Sequence, residues 1–495
     1  MQNTMLCSFL QLDPLKAMII LRRKIVLIKT GIFIMLFSSL TQAQSGMLDP
    51  SFDPGNGANG PIYSMALKDD GRILIGGDFS MYNGIGMNNI AVLNGDGTLE
   101  SAFNPGTGTD PYVRSVALNA NGGVILSGDF STYDGANAAH IAQANSDGSF
   151  DGVFNFNLGS GPNSLVYQVK VQNDGKILVG GLFSMFNGVA KGGINRLNSD
   201  GTLDVTFDAG PGTNDMVFAI AIQSDGKIII GGQFITYNGV SRNGIARLNS
   251  DGSLDTSFNP GSGVNGTVYS IALQSDGKII IAGNFTSYNG TERNRIARLN
   301  TNGSVDGAFD PGAGANDHVL ASAVQNDDKI IIGGLFTSYA GTFRDHVARL
   351  NSNGTLDTTF DPGLGTEGPV SDIVIQPDGN IFICGSFTSY DGVSRNGIAR
   401  ISGSPTAIVE RSPAEFLSIH PNPFSTHTMI HAEEHFRNGT LVVHNSAGAE
   451  VARMENLSGN TITLQRDGLA SGLYLVRFTA DDKHYQVMQL MVVDN

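Results

Sequence analysis

The stretch QSDGKIIIGGQF (223–234) decides the fold, because the chain writes it repeatedly. QNDGKILVGGLF (172–183), QSDGKIIIAGNF (274–285), QNDDKIIIGGLF (325–336) and QPDGNIFICGSF (376–387) are close copies. KDDGRILIGGDF (68–79) and NANGGVILSGDF (119–130) are looser ones. Anchored on the second residue of the DG turn, the copies fall at 71, 122, 175, 226, 277, 328 and 379. The steps are 51, 53, 51, 51, 51 and 51, and a constant period of this size marks a repeat architecture.

One unit divides into four short strands. In the fifth copy TVYSIALQ (267–274) alternates apolar and small or polar residues, as a half-buried strand does. SDG turns the chain into KIIIAGNF, an apolar run that reads as buried on both faces. The loop TSYNGTERNR (286–295) leads to IARLN (296–300), and TNGS turns into VDGAF (305–309). Four antiparallel strands in about 50 residues match a β-propeller blade, whereas the coils of a parallel β-helix are much shorter. The last strand recurs as LESAF (99–103), FDGVF (150–154), LDVTF (203–207), LDTSF (254–258), VDGAF (305–309) and LDTTF (356–360). A seventh, LDPSF (48–52), precedes the first full unit, while the seventh unit ends at IARIS (398–402) without one. The orphan fits the vacancy. The expected fold class is all-β: a seven-bladed β-propeller over 44–402 closed by the N-terminal strand, then a linker (403–415) and a small C-terminal β-sandwich (416–495).

GSGVNG (261–266), GNGANG (55–60) and GLGTEG (363–368) each match the G-x-G-x-x-G pattern of dinucleotide-binding loops. A strand follows these glycines rather than a helix, so no helix N-terminus is there to hold a pyrophosphate. They sit after Asn/Asp-Pro turns such as FNPG (258–261), where glycine supplies turn geometry. No nucleotide is expected. The units carrying LDxSF, QxDGKIxIGGxF and IARLN resemble the delta-60 repeat of bacterial surface and secreted proteins over roughly 47–402. That resemblance implies a propeller-like fold and no defined reaction.

Arg22, Arg23, Lys24 and Lys29 precede the apolar stretch IFIMLFSSL (32–40) and TQAQ (41–44), the order of a secretory signal cleaved after Ala43. Residues 1–17 form an extension, with Met18 an alternative start. Cys7 lies in that leader, which leaves Cys384 without an intrachain partner. After SGSPTA (402–407) the repeat stops, and FLSIHPNPFS (416–425) opens a second β-rich module. It resembles the type A C-terminal sorting domain of the type IX secretion system, with Pro421, Asn422, Pro423, Gly448, Gly472 and Tyr474 on the motif positions and Lys483 a looser match. The resemblance implies a Bacteroidota-type bacterium, Sec export, passage across the outer membrane by the type IX machinery, and a secreted or surface-anchored product.

The chain has 495 residues, 64 of them glycine, and a formal net charge of −15, which argues against a nucleic-acid partner. Trp is absent, leaving twelve Tyr as the aromatic platforms with a polar tip. In a four-stranded meander the YNG loops and the inter-blade glycine loops share one face. That face gathers Tyr237, Tyr288 and Tyr390 with Arg242, Arg293, Arg344 and Arg395 as candidate ligand-binding residues. The competing reading has each Tyr packed under its loop and each Arg paired with a repeat Asp such as Asp310. Turns such as NSDGSLD (249–255) and NSNGTLD (351–357) space oxygens like part of a calcium loop, but Asx side chains closing their own turns account for them. No cofactor is expected, with calcium left open as a stabiliser. His427, His431 and His435 would line one helix face, but their context predicts a strand that spreads them over about 27 Å, too far for one ion. Cys384 stands where other copies have Gly or Ala, a structural position. No reaction motif stands out. The expected function is a monomeric, exported, non-enzymatic binding protein for glycan or protein. The alternative is a secreted hydrolase of polysaccharide or peptide with acids contributed from several blades.

Overall fold

The computed structural model describes residues 45–403, 417–445, 450–480 and 483–494. The leader, Ala43 and Gly448 lie outside them. The chain divides into two compact units, 43–406 and, among its C-terminal residues, 407–495.

In the first unit the expected strand pattern recurs seven times. The inner strands are Ile62–Leu67, Val113–Leu118, Val166–Val171, Val217–Ile222, Val268–Leu273, Val319–Val324 and Val370–Ile375, which define blades 1 to 7. Each pairs antiparallel with a middle strand, as Val268–Leu273 does with Ile279–Gly283, and the middle strand pairs with a third, here Ile296–Leu299. Between them Gln274 and Lys278 close the tight turn, with Gly277 at φ +81°. Middle strands are buried along their whole length, which explains their unbroken apolar runs. Blades also approach closely. A Cβ on Gly231 would lie 2.6 Å from Val268 of the next blade, and Ala282 and Cys384 occupy the equivalent buried positions.

The fourth strand is shorter than its sequence suggests. Leu248 bridges Leu254 and the pairing stops. Asp255 accepts from the Ser257 amide and hydroxyl, turning the chain at once. In the second copy Phe150 makes the same single bridge, to Ala144, but the rest of FDGVF opens the helix Gly152–Leu158, capped by Asp151. Elsewhere Pro and Gly follow this Phe and its neighbour, as in FNPG, or Ala and Gly in FDAG (207–210). Here Phe156 and Asn157 take those places, so nothing halts helical propagation until Gly159 at φ 71°.

The N-terminal segment closes the ring. Leu48 bridges Ile401, the Asp49 amide donates to Arg400 at 2.8 Å, and the Ser402 amide donates to Met47 at 2.9 Å. LDPSF also completes the side-chain set of the seventh blade. Arg400 Nε lies 2.8 Å from Asp49 Oδ2, with its guanidinium 5.4 Å from the Phe52 ring. The same set recurs as Arg196 with Asp204 and Phe207, Arg247 with Asp255 and Phe258, Arg298 with Asp306 and Phe309, and Arg349 with Asp357 and Phe360. The turn lysines Lys176, Lys227, Lys278 and Lys329 add a second cation to Asp204, Asp255, Asp306 and Asp357. Each of these arginines also reaches a backbone carbonyl of the following blade, as Arg196 does to Ser250 at 2.6 Å.

A further ring of bonds links neighbouring inner strands. The third residue of one accepts from the fourth amide of the next: Ser64 from Val116, Ser115 from Val169, Gln168 from Ile220, Ser270 from Ser322. At the closing seam Asp372 accepts from Met65 at 2.8 Å. Burial raises the Asp372 carboxyl pKa, against the pull of the Met65 amide and the Lys170 charge. Ala219 and Ala321 hold the two equivalent positions that have no acceptor side chain.

The C-terminal unit is one five-stranded sheet rather than two separate ones. His427–Asn445 and Glu450–Gln465 pair with each other through both halves; His427–Asn445 also pairs with Leu417–His420 at one end and with Gly472–Ala480 at the other, and Gly472–Ala480 pairs in turn with Lys483–Val492. Ile430, Leu464, Leu441, Val476 and Phe478 from both halves share one core, so the sheet folds on itself. Asn422 of the PNP motif accepts from the Met491 amide at 2.8 Å, and the Tyr474 hydroxyl donates to Ala470 at 2.8 Å.

Acid should unfold the propeller through its repeat carboxylates. Burial alone would raise Asp204 and Asp255. The hydroxyls of Thr206 and Ser257, with the adjacent Lys and Arg, instead hold them well below the usual carboxylate range. Their stabilisation is therefore complete above the unfolded Asp value of about 3.9 and is lost as pH falls through the lower folded values. Urea unfolding across pH 2–7 should show that loss. Asp255→Asn should cost about 3 kcal/mol at pH 7, because it strips a buried pair of its charge, and should flatten the acid limb.

Candidate functional site

The recurring tyrosines are interior. Tyr237, Tyr288 and Tyr390 are 0% exposed, and their hydroxyls donate to the carbonyls of Gly252, Gly303 and Gly46. Burial pushes all three phenols up. They tie each YNG hairpin to the turn before the outer segment and offer nothing to a ligand, which corrects the expectation. Arg242, Arg293 and Arg344 are half-buried and fold back onto the carbonyls of Ser241, Glu292 and Phe343 at 2.7, 2.8 and 2.9 Å. Arg395 is buried, bonded to Ser394 and 3.4 Å from Asp53. In blade 3 Lys191 stands in their place, 3.0 Å from Asp208. These residues brace the rim.

The glycine loops are equally structural. Gly263, at φ +67°, would place a Cβ 2.2 Å from the Asn243 carbonyl of the preceding blade. The Asn289 side chain accepts from the Ser262 amide of the same loop. In the proposed calcium turns Asp251 accepts from Ser253, and Asn353 from Thr355, through both amide and hydroxyl. Among the described residues no group of three His, Cys, Asp or Glu side chains is arranged to hold a metal. His427 and His431 lie along one extended strand. Cys384 is buried and its thiol is pushed up by burial.

The chemistry of the face lies instead at the central channel, a cavity of about 550 Å³ between the inner strands. Every inner strand carries a β-bulge between its first and third residues, as Val268/Ser270 against Ala282–Gly283. A bulge leaves one residue outside the ladder and re-aims its side chain. Those residues are Tyr63, Arg114, Tyr167, Phe218, Tyr269, Leu320 and Ser371, and all seven line the cavity. They stand at the strand ends beside the glycine loops and YNG hairpins, on the face the sequence singled out.

Most of these bulge residues form an aromatic arc. Tyr167 and Phe218 have ring centroids 4.6 Å apart, Phe218 and Tyr269 5.4 Å, and Tyr269 and His318 5.9 Å. Tyr63 meets Tyr112 edge-on at 6.1 Å, and the Arg114 guanidinium lies 4.6 Å from both of those rings. All are half-buried. Burial raises the Tyr63 and Tyr167 phenols, with the Arg114 charge opposing it. Asp78 and Asp129 follow the middle strands of blades 1 and 2, near the arc. Asp129 is 3.4 Å from the Tyr112 hydroxyl and 4.0 Å from His140 Nδ1. Asp372 and Lys170 also line the channel. The signal was in the sequence at one column, the residue after the first apolar residue of each inner strand. It varies where its neighbours repeat.

These features define a closed seven-bladed propeller with an aromatic-lined channel mouth and a β-sheet appendage. The model of the β-propeller domain of unknown function DUF5122 matches residues 68–103, 120–154, 172–207, 223–258, 274–309, 325–360 and 376–403. A secretion system C-terminal sorting domain matches 418–493. The chain is a seven-repeat DUF5122 β-propeller protein with a type IX sorting domain, exported to the cell surface or the medium. No curated protein matches it in sequence. Among solved structures it is similar to the extracellular domain of a protein described as a hybrid two-component system from B. thetaiotaomicron. There the identity is 16% and the TM-score 0.46, over 91% of this chain and 58% of that one, so the chain spans little more than half of that structure's length. It is also similar to a catalytically inactive virginiamycin B lyase from Staphylococcus aureus with quinupristin, at 16% identity and TM-score 0.43 over 71% and 97% of the two chains.

Two measurements follow. Tyr237→Phe should lower stability by about 1 kcal/mol in urea unfolding by removing one buried hydrogen bond, without altering any ligand affinity. A chain ending at Ser402 should stay in the periplasm on fractionation, while the full chain reaches the surface or the medium.

Proposed function

We propose that the propeller is a non-enzymatic binding module that takes a glycan at the channel mouth. The arc Tyr63, Tyr112, Tyr167, Phe218, Tyr269 and His318 carries this reading. Half-buried rings on consecutive blades present apolar surface at small conformational cost, and their hydroxyl and imidazole tips stay hydrated. A sugar chain has the matching character, with apolar C–H faces for the rings and hydroxyls for polar groups. Arg114 supplies donors, while Asp78 and Asp129 supply acceptors. The sorting domain fits this use, since it hands the module to the type IX machinery and so to polymers outside the cell.

A hydrolytic reading draws on Asp78 and Asp129, the acids that blades 1 and 2 carry in a column where the other blades have none, and on His140 beside Asp129. Screening the exported chain on a glycan array and against polysaccharide substrates separates the two. Binding without turnover, weakened at least about tenfold by Phe218→Ala or Tyr269→Ala with unchanged melting temperature, is the expected result. Turnover abolished by Asp129→Asn would replace binding with hydrolysis.

A further inference from the structure

Resting on that reading, we infer that the glycan is acidic, with one carboxylate per sugar seated on Arg114: a uronic acid chain. Arg114 is the one cation among the seven bulge residues. Its guanidinium sits between the Tyr63 and Tyr112 rings, 4.6 Å from each centroid, so both rings attract the cation and shield it from water. What remains is its hydrogen-bonding edge, and among the described residues that edge has no hydrogen-bond acceptor and no carboxylate within ion-pair distance. Its Nε is buried without a partner.

The contrast with the other arginines is informative. Arg196, Arg247, Arg298, Arg349 and Arg400 each place Nε 2.7–2.8 Å from a carboxylate. Arg242, Arg293, Arg344 and Arg395 leave Nε unpaired but spend a terminal nitrogen on the preceding carbonyl. Arg114 does neither. Leaving a shielded guanidinium unpaired is unfavourable, and a planar carboxylate that takes two parallel N–H bonds removes that cost on binding.

The neighbouring acids set the upper limit on ligand charge. Asp78 and Asp129 follow the middle strands of blades 1 and 2, and Asp129 lies 3.4 Å from the hydroxyl of Tyr112, whose ring is 4.6 Å from the guanidinium. Their charges repel a densely sulfated chain, while their oxygens accept from sugar hydroxyls. One carboxylate flanked by hydroxyls, on a ring that stacks along Tyr167, Phe218 and Tyr269, satisfies all of these groups.

The test is calorimetric titration of the full chain. The probes are oligomers of galacturonic, glucuronic and mannuronic acid, their carboxyl-reduced neutral counterparts, a heparin-type sulfated oligosaccharide, and peptides with free C-termini. At least one uronate should bind about tenfold or more tighter than its reduced counterpart and than the sulfated chain. Arg114→Gln should weaken that uronate about tenfold more than the reduced oligomer, closing the difference between them, and Arg114→Lys should restore part of it. Thermal unfolding of each variant checks the fold. Equal affinity for a uronate and its reduced form, with Arg114→Gln weakening both alike, overturns the acidic subsite and leaves glycan binding standing. Binding of no glycan, acidic or neutral, overturns both. Arg114-dependent capture of peptide C-termini replaces the glycan with a peptide.

Discussion

The N-terminal segment holds the ring shut. Met47–Asp49 pair with Arg400–Ser402, and Asp49 and Phe52 give the seventh blade the Asp and Phe that Arg196, Arg247, Arg298 and Arg349 find within their own units. A propeller blade is too small to bury both of its faces alone, so each depends on two neighbours and the last depends on the first. The contact between chain ends thus lets Ile62 and Met65 of blade 1 share a core with Phe382 and Cys384 of blade 7. The channel exists only because that circle is complete.

Within the ring, residues that recur and residues that vary have separate jobs. Tyr237, Arg242, Arg247, Asp255 and Gly263 all repeat, and all satisfy backbone groups, pair buried charges or permit close approach between blades. Repetition here reports a structural need that arises once per blade. Along the axis the seven blades present Tyr, Arg, Tyr, Phe, Tyr, Leu and Ser, and it is to this column without a consensus that the proposed recognition falls.

That division explains what was legible. Period, blade count and closure by LDPSF could be read directly, because each rests on pattern and on the need to pair a strand edge. The outer strands were read too long, since the Asp of LDxSF looks like a strand residue but turns the chain with its own carboxylate. The helix at Gly152–Leu158 was signalled by Phe156 and Asn157 in place of Pro and Gly, a departure visible in FNFNLG. Binding residues were sought among Tyr and Arg that recur on the face of the YNG and glycine loops. The arc at Tyr63 through His318 depends on bulges that set one residue outside the ladder, and strand alternation alone cannot reveal them.

The bulge makes the mouth of the channel modular. Since the extra residue at each inner strand lies outside the ladder, exchanging Phe218 or Leu320 alters the lining while the cores formed by Val217 and Val319 stay in place. Seven such sockets, each seated on a nearly identical blade, form a palette that can be recoloured one blade at a time. A single scaffold of this kind could present many different linings to the polymers outside a cell without being redesigned.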